Sequence, residues 1–225
     1  MTTLRLAHRG DWRIAPENSL AAMQAALTVP GCDGLEFDIR SSFDNVPVLL
    51  HDATLARVQR VPLSCSTLTA VQLAEHGVPT LGEVLAAVGC DPFLDVELKE
   101  PVKGAIDALE LERGGNDDKG QPELKNAVVS SFDAPVLGWL RSLRPTWPRW
   151  LNAYDLSPST IATATDLGCT AISVEWHGLD ADGVARATDS GLGVAAWTVR
   201  EPADYLRLEA MGLLAVCAEA AALEG

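Results

Sequence analysis

A short apolar run followed by a stretch of helix formers recurs along this chain, and that rhythm leaves few folds open. The runs lie at residues 4–7, 35–39, 93–98, 127–132, 150–154, 171–176, 193–199 and 213–217. Most are followed by segments that read as helices, among them 19–27, 103–113, 135–143, 159–167, 181–190 and 202–211. Runs this short, bounded by Gly, Pro and polar clusters, read as buried strands. Strands alternating with helices predict parallel pairing through helical crossovers. Eight such units in 225 residues predict an α/β fold, a closed (β/α)8 TIM barrel in a single domain over 1–225, somewhat more compact than the usual ~250 residues. An open doubly wound sheet is the weaker alternative, because no Gly-rich phosphate loop follows the first run. A short insertion, residues 53–79, comes after the second strand; a hairpin at 43–47 precedes it, it carries a short helix at 68–76, and an amphipathic helix at 80–88 follows. GGNDDKGQP, residues 114–122, reads as a polar turn or mobile loop and is the one linker-like stretch.

In such a barrel, groups at the carboxyl ends of different strands converge. The first run ends in His8-Arg9-Gly10 and the hairpin's return in His51-Asp52. Glu36 and Asp38 alternate with Leu35, Phe37 and Ile39, so the acids share one face and the apolar residues the other. Asp95, Glu97 and Lys99 share a face in the same way. Crowded carboxylates raise one another's pKa unless a cation lies among them, and a hard divalent ion such as Mg2+ or Ca2+ suits oxygen ligands. Zinc is disfavoured, since neither histidine has a zinc-motif spacing. The plainer readings are a wet acidic strand, an ion pair between Glu97 and Lys99, and histidines that serve structure alone.

The formal net charge of −14 and pI near 4.6 argue against a nucleic-acid partner, which is bound by neutralising phosphates with Lys and Arg. An acidic chain acting on a small anion needs local positive charge, which a metal ion, Arg9 and Lys99 would supply. Five cysteines, odd in number and without a Cys-x-x-Cys pair, predict reduced thiols in a cytoplasmic protein. No stretch reads as a signal peptide or membrane anchor. Assembly into a homo-oligomer stays open.

His8-Arg9-Gly10, Pro16-Glu17-Asn18-Ser19, Glu36-Phe37-Asp38, and His51-Asp52 with Leu55 and Arg57 together resemble the glycerophosphodiester phosphodiesterases, by order and spacing more than by any single piece. The resemblance implies the same barrel and metal-dependent hydrolysis of a small glycerophosphodiester to glycerol 3-phosphate and an alcohol. It implies His8 and His51 as acid and base, and it makes Glu97, in Asp95-Val96-Glu97-Leu98-Lys99, the third metal ligand beside Glu36 and Asp38. Arg9 and Lys99 would contact phosphate; Glu17 would bind substrate hydroxyls or orient Arg9. Trp197 would form a pocket wall, with Trp12 and Phe132 as weaker candidates. Two departures bear on substrate choice: the insertion is shorter than is common in the family, and the last strand, Ala215-Val216-Cys217-Ala218-Glu219-Ala220, lacks the usual Thr-Asp ending. Alternatives are a lysophospholipase D or sphingomyelinase D-like activity on the same barrel, and a barrel that binds phosphoesters without turnover.

Overall fold

In the computed structural model, which describes residues 2–224, β1 (Leu4–His8) is followed by α1 (Leu20–Ala26) and β2 (Gly34–Ser41). The hairpin's return strand is β3 (Pro47–Leu49), the insertion carries α2 (Ala70–Glu75), and α3 (Leu81–Val88) follows it. Then come β4 (Phe93–Leu98), α4 (Lys103–Arg113) and a hairpin of β5 (Gly114–Asn116) with β6 (Pro122–Leu124). The rest alternates: β7 (Ala127–Ser131), α5 (Ala134–Leu143), β8 (Arg149–Ala153), α6 (Pro158–Asp166), β9 (Ala171–Glu175), α7 (Ala181–Asp189), β10 (Gly193–Val199), α8 (Pro202–Ala210), β11 (Ala215–Ala218) and α9 (Ala221–Glu224).

Parallel neighbours run β1-β11-β10-β9-β8-β7-β4-β2, and β1 pairs also with β2, so the sheet closes on itself into an eight-stranded (β/α)8 barrel. The antiparallel β3 lies outside this ring against β2. Register fixes the inward layers: His8 stands level with Glu36, Glu36 with Asp95, and Asp38 with Glu97. Leu35, Phe37 and Ile39 point outward and pack with Met23, Leu81 and Leu85 of the helices. A matching layer on the far side gathers Leu151, Ile172, Val174 and Leu208. The barrel interior is also filled. Trp150 stacks on Phe93 at 5.9 Å between ring centroids, and Leu6, Val128 and Cys217 close around them. Small residues at Ala171, Ala195 and Ala215 leave room for the indole. The interior below the acids is therefore solid, and chemistry is confined to one mouth.

Local signals explain the helix starts. Thr80 and Thr69 each form a capping box, with Glu83 and Gln72, and Ser19 accepts from the Ala22 amide to cap α1. The insertion packs its own small core, in which Leu55, Cys65, Leu73 and Val78 cover Val48 and Leu50. Of the two expected readings of residues 114–122, a polar turn and a mobile loop, the structure shows the turn, which closes the β5–β6 hairpin. Asp117 closes its turn by accepting from the Lys119 and Gln121 amides at 2.8 and 2.7 Å, and Gly120 takes the required positive φ of 74°. Among the described residues no helix is long and apolar enough to cross a membrane.

Because Trp150 plugs the barrel, Trp150→Ala is expected to lower the unfolding free energy by about 3–5 kcal/mol, read as a lower denaturant midpoint at unchanged slope.

Candidate active site at the barrel mouth

The chain reaches the mouth through an unusual turn. Arg9 adopts φ 58° and Gly10 φ 80°. A Cβ on Gly10 would lie 2.6 Å from the Ala22 carbonyl carbon, so only glycine fits against α1. The Arg9 amide donates to the Glu36 carbonyl at 2.8 Å, extending the β1–β2 ladder by one bond. This holds the Arg9 side chain over the acids of β2. A non-glycine residue in the left-handed region costs energy, and such cost is commonly kept at functional positions.

Glu36, Asp38 and Glu97 each offer an oxygen within 4.8 Å of the others. Asp38 is fully buried and heavily bound: Arg9 Nε lies 2.9 Å from one oxygen and Lys99 Nζ 2.8 Å from the other, while Asn18 donates at 2.8 Å. Burial acts against its charge, but Arg9 and Lys99 outweigh this and hold the carboxyl well below the usual range. Lys99 also donates to Glu97 at 2.5 Å. Two cations do not balance the remaining acids. Burial, then the charge of Asp38, pushes Glu36 up, and the same causes push Glu97 up to about 7. Asp95, on the layer below, is likewise pushed up to about 7 by burial. Glu36 Oε2 is buried without a hydrogen-bond partner. An all-oxygen donor set with an unpartnered carboxylate oxygen and surplus negative charge fits a divalent cation.

Two histidines flank this cluster. His51 follows β3, its carbonyl accepting from Arg40 Nε at 2.8 Å, and its Nδ1 lies 2.6 Å from Asp52 Oδ1. The Arg57 bond holds Asp52 down at about 2, against modest burial, with His51 adding to the effect. Asp52 is then ionised and can only accept, so the Nδ1 carries the proton. Burial pulls His51 below its ordinary value. His8, at the end of β1, pairs through Nδ1 with Glu219 of the segment after β11, and its Nε2 lies 3.7 Å from Glu36 Oε2. Arg57 also donates to both oxygens of Glu17, at 2.8 and 2.7 Å, and Glu17 accepts from Arg9 at 3.0 Å.

His8, Arg9, Glu36, His51, Glu97, Lys99 and Trp197 line one open cavity. Asp38 lies beneath Arg9 and Lys99, and Glu17 stands behind Arg9 rather than in the lining. Phe132, Tyr154 and Trp197 form one wall, with centroids 5.3–5.6 Å apart. Trp12 lies outside the lining, because the chain after Gly10 turns back on α1 through the Asp11 amide and the Ala22 carbonyl. Tyr154 and Asn152 also line the cavity without having been singled out from sequence, although both follow from the alternation of β8. Glu219 was legible only as a departure in the last strand, and Asp52 and Arg57 only as parts of a motif.

A model of the glycerophosphoryl diester phosphodiesterase family matches residues 8–222. The chain is 31% identical over 230 residues to a Mycobacterium tuberculosis protein named "Probable glycerophosphodiester phosphodiesterase 1", covering 88% of this chain and 82% of the relative. A solved Oleispira antarctica phosphodiesterase, in complex with the product sn-glycerol-3-phosphate, superposes with TM-score 0.82 at 23% identity, over 96% of this chain and 93% of that one. A Thermotoga maritima glycerophosphodiester phosphodiesterase gives 0.78 at 22%, over 100% and 96%. At these identities the two structures speak to the fold.

The Asp52 network has a pH signature. Its folded pKa of about 2 lies below the ~3.9 of a free Asp, so between these values the unfolded chain binds more protons. The stabilisation is present above pH ~3.9 and is lost as pH falls toward ~2. Urea melts of wild type and Asp52→Asn are expected to converge across that window, and a gap that stays constant with pH would contradict it.

Proposed function

Because the chain belongs to the glycerophosphoryl diester phosphodiesterase family, we propose that it hydrolyses glycerophosphodiesters to glycerol 3-phosphate and an alcohol at the barrel mouth. The observation that carries this reading is the meeting of Glu36, Asp38 and Glu97 within 4.8 Å beside two histidines lining the same cavity.

Each element of the cavity answers a need of the reaction. The substrate phosphate is an anion entering an acidic protein, and Arg9 and Lys99 give it local positive charge. Arg9 offers a planar fork of donors, while Lys99 adds a point charge. Glu17 and Asp38 hold the Arg9 guanidinium between them, which limits its motion before substrate arrives. Glu36, Asp38 and Glu97 would hold Mg2+ or Ca2+, which when bound would supply charge stabilisation to the phosphoryl oxygens. His8 and His51 both have Nδ1 turned to a carboxylate, leaving Nε2 for the substrate. One receives a proton from the attacking hydroxyl, and the other delivers one to the departing alkoxide. The attacking hydroxyl is that of water or of the glycerol itself. The aromatic wall of Phe132, Tyr154 and Trp197 borders the leaving alcohol.

Three experiments test the reading. Turnover of glycerophosphocholine, glycerophosphoethanolamine and a lysophospholipid is compared with EDTA, Mg2+ and Ca2+; the glycerophosphodiesters should be preferred and chelation should abolish activity. His8→Ala and His51→Ala should each lower kcat by about 10²–10⁴-fold with the fold retained by circular dichroism; wild-type rates in either would remove that histidine from the mechanism. In a thermal melt, Mg2+ or Ca2+ at about 100 times its Kd should add about 2.7 kcal/mol of stability, and Glu36→Gln should erase the gain.

A further inference from the structure

At the seam where the barrel closes, β1 and β11 pair with Ala7 opposite Ala218. The next residues along the chain are His8, the last of β1, and Glu219, the first after β11. The Glu219 amide donates to the Val199 carbonyl at 2.8 Å, and the following residue, Ala220, takes φ 51°, so the backbone around Glu219 is fixed on both sides. Its side chain is buried and turns inward, where one oxygen meets His8 Nδ1 and the other accepts from Arg200 Nε at 2.9 Å. Burial alone would raise the Glu219 carboxyl, but the bonds from His8 and Arg200 hold it at about 2. Arg200 is largely exposed, so water screens its charge and His8 is the partner that matters within the barrel.

We propose that Glu219 is the positioning residue for His8: it fixes the Nδ1–H tautomer and the ring plane so that Nε2 faces the acids and the bound phosphoryl group. The placement rests on the hydrolytic reading above for its consequence in catalysis, and on geometry alone for the histidine. An ionised carboxylate has no proton to donate, so it admits only one tautomer of a neutral imidazole on the nitrogen that it touches. Without that anchor the ring is free to turn over, and Nε2 is no longer held toward the substrate for whichever of the two proton transfers His8 carries. The glutamate reaches His8 from a strand end that lacks the Thr-Asp ending, its two methylene groups carrying the carboxylate back over the seam. His51 has a matching support in Asp52 and Arg57, so each histidine is held by a carboxylate that an arginine grips in turn.

The test uses Glu219→Gln, which keeps the side-chain volume but lets an amide N–H₂ or an amide oxygen face His8 Nδ1. Two readouts are taken: steady-state kinetics on glycerophosphodiesters, and 15N NMR of the His8 ring, assigned with His8→Gln. The wild type should show a single Nδ1–H tautomer. The variant should show a mixture, with kcat lower by roughly 10–100-fold and KM within about twofold. A His8 ring that stays wholly in the Nδ1–H form in the variant overturns the proposal, and so does a released tautomer with unchanged kcat. Should Glu219→Gln fail to fold, Glu219→Asp carries the same two readouts, since it retains the charge but withdraws it by one methylene. The NMR readout needs no turnover. If the wild type hydrolyses none of the diesters, the functional reading falls while the ring measurement still decides whether Glu219 orients His8.

Discussion

The mouth of this barrel is governed by how a buried carboxylate, Asp38, is allowed to remain charged. It takes Arg9, Lys99 and Asn18 to satisfy it, and each comes from a different segment: the turn after β1, the end of β4 and the approach to α1. Taking such groups out of water is costly, and their mutual attraction repays the cost only when the geometry is good. Glu36, Glu97 and Asp95 then remain, crowded and pushed toward their neutral forms by burial and by Asp38. A core assembled for stability alone would not collect so many acids, and strongly displaced carboxylates in a cleft mark a functional centre. The stability comes from elsewhere, from the apolar layers outside the sheet and the Trp150 plug within it.

Order around the acids comes in two parallel supports. On one side Arg57 ties Asp52 to Glu17, so the residue holding His51 and the residue holding Arg9 are parts of one network. On the other, Arg200 and Glu219 hold His8. The lip between them is aromatic and more open. Tyr154 is 69% exposed and Phe132 is 40% exposed, which leaves the direction facing solvent apolar while the floor is charged.

Much of this was legible in the sequence, for identifiable reasons. Each of the eight ring strands is a short apolar run, and alternation within β2 and β4 announced which acids would face inward, because a period of two leaves no ambiguity once one side is known. What escaped depends on distance or on turn chemistry. The pairing of His8 with Glu219 joins residues 211 positions apart, and nothing near either residue signals it. The Arg57–Glu17 link crosses 40 positions. Residues 114–122 read as a turn or a mobile loop because their composition is polar and Gly-rich; one Asp and one Gly suffice to make them the turn of a hairpin.

Closure through β1 and β11 also sets an order of events for a growing polypeptide. β1 is made early and waits for β11, which leaves the ribosome after the other seven strands of the ring. Until then His8 has no carboxylate on its Nδ1, and the wall beside β1 is missing, whatever the intervening helices have achieved. Contacts of such long sequence separation carry a loop-closure cost and form late. A chain without β11 would thus have neither a closed ring nor the carboxylate that holds His8.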